Sequence, residues 1–361
     1  MITKEIISRI PKVELHDHLD GGLRTQTIID LAKMHNIELP VWDPDGLGTW
    51  FSRGCKQKSL PLYLETFEVT VSVLQTPQAL KRAAFEAIED LAAQHVVYAE
   101  IRFAPILHTR QQMSMEEVVS AVLEGLEEGR RKTKTAFGLI ICALRNQSPT
   151  LSLEAAKLAV AFRTRGVVGF DLAGDESGNP PKKHLEAFQY IRNQNFNITI
   201  HAGEGFGLES IWQAIQVCGA HRIGHGTRLI EDMSMKGSKI EKMGSLAHFI
   251  HDRRIPLEMC LSSNVGTGAA ADYATHPFIT FFRNNFRVFL CVDNRLMSAT
   301  DMTREMEIAV REYGLTIRDL EKITVNAMKS AFIHHNDKIR IIYDVIKKGY
   351  ADIRTEFGLT D

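Results

Sequence analysis

The chain has 361 residues, 44% hydrophobic and 24% charged, which is enough to bury a sizeable core and ordinary for a globular protein. Lys plus Arg (43) nearly cancels Asp plus Glu (44), and no basic stripe or polybasic run appears. Nucleic acid and anionic membranes are therefore poor partners, and a small neutral molecule fits better. Five scattered cysteines without CxxC spacing, no apolar run near ~18 residues and no signal-like N-terminus together predict a reducing cytoplasm.

Short β-branched runs alternate with amphipathic stretches along the whole chain. The first run is KVELH (12–16), followed by a long connection from about residue 24 to 95. Inside it, WDPDGLGTWFSRGCKQKSLPLYLETF (42–67) breaks periodicity with Gly and Pro before an apolar helical pattern resumes. Such a connection is a lid candidate. Next come VVYAEIRF (96–103), a helical pattern over 113–133, FGLIICAL (137–144) and VVGFDLA (167–173). A helical pattern over 184–194 precedes ITIHAGE (198–204), RIGHG (222–226), IPLEMCLS (255–262) and RVFLCVD (287–293). Eight strand–helix alternations predict a single (β/α)8 barrel of the TIM type over residues 1–361, with a helical lid insertion at about 24–95.

In such a barrel the active-site groups stand at the C-terminal strand ends. The first run leads into His16 and His18, two residues apart and so on one side of a strand. The fifth runs into His201 and Glu204, the sixth ends in His225 and the eighth in Asp293. Singly, each has a bland reading: a hydrogen-bonded histidine, a helix cap, a solvated loop carboxylate. Jointly, six metal-binding or acid–base side chains at one end of one barrel point to a catalytic metal site. Three imidazoles and one carboxylate suit zinc and leave a position for water, whose pKa then falls to about 7. A further carboxylate and imidazole nearby would move and orient protons.

The segments KVELHDHLDG, DLAGDE, HAGE, IGHG and VDN, in that order, resemble the adenosine deaminase family of zinc hydrolases. The resemblance implies one Zn2+ per chain held by His16, His18, His201 and Asp293. It implies that Glu204 passes a proton to purine N1 and that His225 orients the attacking water. It also implies that the Gly174 backbone N–H meets purine N3 and that Asp20 binds the sugar 5′-hydroxyl. The implied activity is hydrolytic deamination of adenosine or deoxyadenosine to inosine or deoxyinosine plus ammonia.

At one position the chain departs from the animal-type pattern of two consecutive aspartates: Asn294 follows Asp293. Purine N7 is an acceptor, and an Asn amide donates in its ordinary state, whereas a carboxyl must first be protonated. Asn294 is therefore retained as a substrate-binding residue. The alternative substrates are another 6-aminopurine nucleoside such as aminodeoxyfutalosine and, less favoured because HLDG replaces HIEG, free adenine. CLSSN (260–264) and LPLYLETF (60–67) read equally well as site segments or as helix cap and packing helix, so neither is assigned a role. The oligomeric state is left open.

Overall fold

Eight parallel strands form one sheet in strict chain order: β1 Lys12–His18, β2 Val96–Phe103, β3 Ala136–Leu144, β4 Val167–Ala173, β5 Asn197–Ala202, β6 Arg222–His225, β7 Leu257–Met259 and β8 Val288–Leu290. The computed structural model describes residues 2–57, 60–237 and 239–359. β1 and the chain after β8 meet through a parallel bridge between Asp17 and Asp293. There, His18 N–H donates to Asp293 O and Asp293 N–H to His16 O, each at 2.8 Å. The ring is thus a (β/α)8 barrel with helices outside it. Side-chain alternation along β1 is visible in its polar residues. His16 and His18 turn inward, while Asp17 turns out to pair with Arg295 at 2.9 Å.

The eight strands are those the β-branched runs predict: β2 and β4 keep the expected bounds, β1 runs on to His18, and β5 to β8 end earlier than expected. β7 and β8 keep three residues each. The backbone leaves the ladder after Met259 because Cys260 to Asn264 close a helical turn, with Asn264 N–H on Cys260 O at 2.8 Å. The helix over 113–133 appears as Met115–Thr133, opened by a reciprocal cap between Ser114 and Glu117.

The long connection between β1 and β2 carries five helices: Thr25–His35, Pro44–Phe51, Arg53–Lys56, Leu60–Val73 and Pro77–Ala93. The DPDGLG stretch does not interrupt structure as its Gly and Pro suggest. Asp43 caps a helix with Pro at its first turn, its carboxylate accepting from Gly46 N–H at 2.7 Å. Residues 58 and 59 of the expected lid lie outside the described residues. A polar antiparallel hairpin, Met233–Lys236 with Lys239–Met243, follows β6 and has no apolar run that would announce it.

The barrel interior is charged. Glu100, Arg102, Asp171, Arg222 and Glu258 are all buried within it. Arg222 bridges Glu100 and Glu258 at 2.7 and 2.6 Å, and Arg102 bridges Glu258 and Asp171 at 2.8 and 2.9 Å. Buried charges persist only when paired and hydrogen-bonded, and this chain of five runs up to the C-terminal strand ends.

Candidate active site

A cavity of about 420 Å³ opens at those strand ends. Eight of the nine site residues expected from the sequence line it: His18, Asp20, Gly174, His201, Glu204, His225, Asp293 and Asn294. His16 is the ninth and lies fully buried beneath them. His16, His18, His201 and Asp293 each offer one ligand atom, all within 4.8 Å of one another. His18 Nε2 stands 3.2 Å from His201 Nε2, and Asp293 Oδ1 stands 3.3 Å from His16 Nε2 and 3.5 Å from His18 Nε2.

What stands behind each ring decides its proton. His16 Nδ1 lies 2.8 Å from Glu258 Oε2, and His201 Nδ1 lies 3.0 Å from Asp171 Oδ2. Carboxylates only accept, so both rings carry the proton on Nδ1 and turn a bare Nε2 inward. Burial opposes the charged forms of Asp171 and Glu258, yet their cationic neighbours hold both carboxyls well below the usual range. His225 is the reverse case. Asn264 Oδ1 accepts from Cys260 N–H at 3.3 Å, so its amide group faces His225 Nδ1 at 3.0 Å. Neutral His225 therefore carries its proton on Nε2, 3.5 Å from Glu204 Oε2. That N–H points at Glu204, and the ligand atoms of Glu204, His225 and Asp293 also lie within 4.8 Å of one another.

The connected charges favour a cation. Asp171, Glu258 and Glu100 surround the guanidiniums of Arg102 and Arg222, and Asp293 joins them through His16, so carboxylates outnumber guanidiniums around the histidines. Ser263 Oγ donates to Asp293 Oδ2 at 2.5 Å and fixes the remaining carboxylate oxygen.

Local backbone aims the side chains. His225 (φ 65°) and Asp293 (φ 64°) sit in the left-handed region, which non-glycine residues rarely adopt and which clusters at functional sites. Gly174 has φ 97°, open to glycine alone. At Gly21 a Cβ would lie 1.9 Å from Asn294 Oδ1, so only glycine lets that amide approach.

Several site residues went unassigned in the sequence. Ser263 and Asn264 of CLSSN support Asp293 and His225, which decides that segment in favour of the site. Glu176 of DLAGDE accepts N–H bonds from Gly203 (3.0 Å), Glu204 (2.9 Å) and Gly205 (3.4 Å), gripping the loop that carries Glu204. Thr267 Oγ1 donates to Glu204 Oε1 at 2.9 Å. Tyr63 and Phe67 of LPLYLETF line the cavity, and the Tyr63 hydroxyl accepts from Asn294 Nδ2 at 2.8 Å. Buried His108 stands 3.9 Å behind Asp20, whose carboxyl burial pushes up to about 6. DLAGDE and CLSSN held usable polar signals and LPLYLETF an ambiguous one, whereas the segment around His108 was not singled out.

The adenosine deaminase family model matches residues 11–348. The chain belongs to the adenosine deaminase family. Adenosine deaminase 1 of Streptomyces coelicolor is 50% identical over 357 residues, covering 97% of this chain and 90% of that relative. Adenosine deaminase of Mycobacterium avium is 50% identical, covering 96% of this chain and 97% of its own. Among solved structures, adenine deaminase from Arthrobacter aurescens superposes with a TM-score of 0.84 at 26% identity, covering 97% and 99% of the two chains. Membership of the adenosine deaminase family makes this chain a hydrolytic aminohydrolase, with a His/Asp cluster able to hold a metal ion. Among the described residues no helix is long and apolar enough to cross a membrane.

Proposed function

We propose that the protein deaminates adenosine and deoxyadenosine hydrolytically, using zinc held by His16, His18, His201 and Asp293. The carrying observation is that three imidazole nitrogens and a carboxylate converge beside Glu204 and His225, at the floor of one cavity. Three nitrogens and one oxygen form a donor set that suits zinc, and the excess of carboxylates around the histidines favours a cation. A zinc ion there would supply the Lewis acidity that makes water nucleophilic at neutral pH.

The remaining roles fall to the chain's own residues. Water adds to C6 of the purine, one of its protons reaching N1 and the other the departing amino group, so that the C6–N bond breaks, ammonia leaves and a 6-oxo group remains. Glu204 takes the water proton and delivers it to N1 as the ring loses aromaticity, with Thr267 holding its other oxygen. His225 donates from Nε2 to the attacking oxygen and so fixes its approach. The Gly174 N–H donates to N3, Asn294 donates to N7, and Asp20 accepts from the sugar 5′-hydroxyl. We assign the chain to one domain, with the 24–95 connection as a lid whose Tyr63 and Phe67 cover the substrate.

A nucleoside is favoured over the free base because Asp20 is buried against the cavity with one carboxylate oxygen unpartnered. A buried polar atom in that state calls for a ligand donor. The test is ammonia release from zinc-loaded protein given adenosine, deoxyadenosine, adenine, AMP and aminodeoxyfutalosine in parallel. Rapid turnover of adenosine, lost by about 10²-fold or more in Glu204→Gln with zinc content unchanged, is the expected result. Preference for adenine or aminodeoxyfutalosine overturns the substrate, and near-normal turnover by Glu204→Gln overturns the proton transfer.

A further inference from the structure

We propose that Arg102 is a positioning residue for the metal centre, one guanidinium locking the two carboxylates that orient His16 and His201. The inference rests on the metal reading above. Arg102 comes from β2, is fully buried and does not line the cavity. Its Nη1 donates to Asp171 Oδ2 at 2.9 Å and its Nη2 to Glu258 Oε2 at 2.8 Å. Those two oxygens also lie nearest the imidazoles, at 3.0 Å from His201 Nδ1, whose hydrogen bond runs to the other Asp171 oxygen, Oδ1, at 3.2 Å, and at 2.8 Å from His16 Nδ1. Nη2 also donates to Leu15 O at 2.6 Å, gripping the backbone carbonyl just before His16.

One planar fork thus ties together β1, β4, β5 and β7. A carboxylate behind a ligating imidazole fixes its tautomer and ring orientation. Two such carboxylates sharing one guanidinium cannot turn independently, so the two ligands are set as a unit. Lysine offers a single point of charge and cannot hold both oxygens in that geometry. Arg222 provides the internal comparison. It also binds Glu258, but through Oε1 at 2.6 Å, the oxygen turned away from His16.

The experiment measures zinc affinity by chelator competition, with the melting point of each metal-free protein, for wild type, Arg102→Lys and Arg222→Lys. Arg102→Lys is expected to bind zinc about 10–100-fold more weakly, the usual effect of losing an outer partner of a ligand. Arg222→Lys is expected to stay within about threefold of wild type, although it disturbs the same buried network. Arg102→Gln, an amide able to reach one carboxylate and not both, is the second variant should the lysine form fail to fold. Wild-type affinity in a folded Arg102 variant overturns the proposal, as does equal weakening by both lysine substitutions. Failure of the wild type itself to take up zinc overturns the underlying metal reading instead.

Discussion

His16, His201 and His225 occupy strand ends of one barrel and all turn Nε2 inward, yet differ in which nitrogen carries the proton. The difference is written by the group behind each ring: a carboxylate for the first two, an amide N–H for the third. The proton on each ring is thus placed by the partner behind it. Glu176 has a comparable role toward Glu204, its carboxylate collecting three successive backbone N–H groups of the loop. Glu176→Ala leaves the buried Gly203 N–H without a partner, at a cost of roughly 1–3 kcal/mol, and releases the part-buried N–H groups of Glu204 and Gly205. The expected outcome is a kcat lowered about 10–100-fold, since a loop displaced by ~1 Å loses that order of rate. Zinc content and affinity should hold. Steady-state kinetics paired with metal analysis checks this, and an unchanged kcat removes Glu176 from the positioning of Glu204.

At the level of elements, the strands were legible because their apolar, β-branched runs have the right length and spacing, and the HxH pair because alternation puts both rings on one side. The charged interior was harder to read. Glu100 and Arg102 sit within VVYAEIRF and Asp171 within VVGFDLA, runs that look uniformly apolar at strand resolution. Their partners lie on non-adjacent strands and meet only in the closed ring. Left-handed backbone at His225 and Asp293 also leaves no mark in composition, because it is imposed by the loops that follow. The helix Leu60–Val73 illustrates a third limit. Its apolar pattern told of burial but not against what, and the structure places Tyr63 on Asn294 and within 3.4 Å of Ser298 Oγ. Tyr63→Phe leaves the Asn294 amide one partner short and loosens the helix over the cavity. KM for adenosine should rise about 5–100-fold, corresponding to the ~1–3 kcal/mol of an unsatisfied buried donor, with kcat less affected. Kinetics on adenosine decides it, and an unaltered KM would show that the helix covers the cavity without ordering the amide.

For the molecule as a whole, the buried network around the histidines holds more carboxylates than guanidiniums. Binding of an ion to the folded state alone stabilises it by about 4 kcal/mol at a thousandfold excess over Kd. Stripping the ion with a chelator should therefore lower the melting temperature by several degrees, and zinc should restore it. Calorimetry with and without chelator gives the answer. Equal melting points would mean that the cluster is stable as an empty network and that its charge is met in another way.

The bridge between Asp17 and Asp293 has a bearing on how the protein is made. Arg295 and Asp17, which meet across the same junction, are 278 residues apart in the chain. During synthesis His16 and His18 emerge early and wait for partners that the ribosome has yet to produce. A half-site of two imidazoles has little hold on an ion, so firm capture begins only when the eighth strand has closed against the first. Ion occupancy then marks chains whose ring is complete, and truncated or misassembled copies remain distinguishable by their failure to retain it.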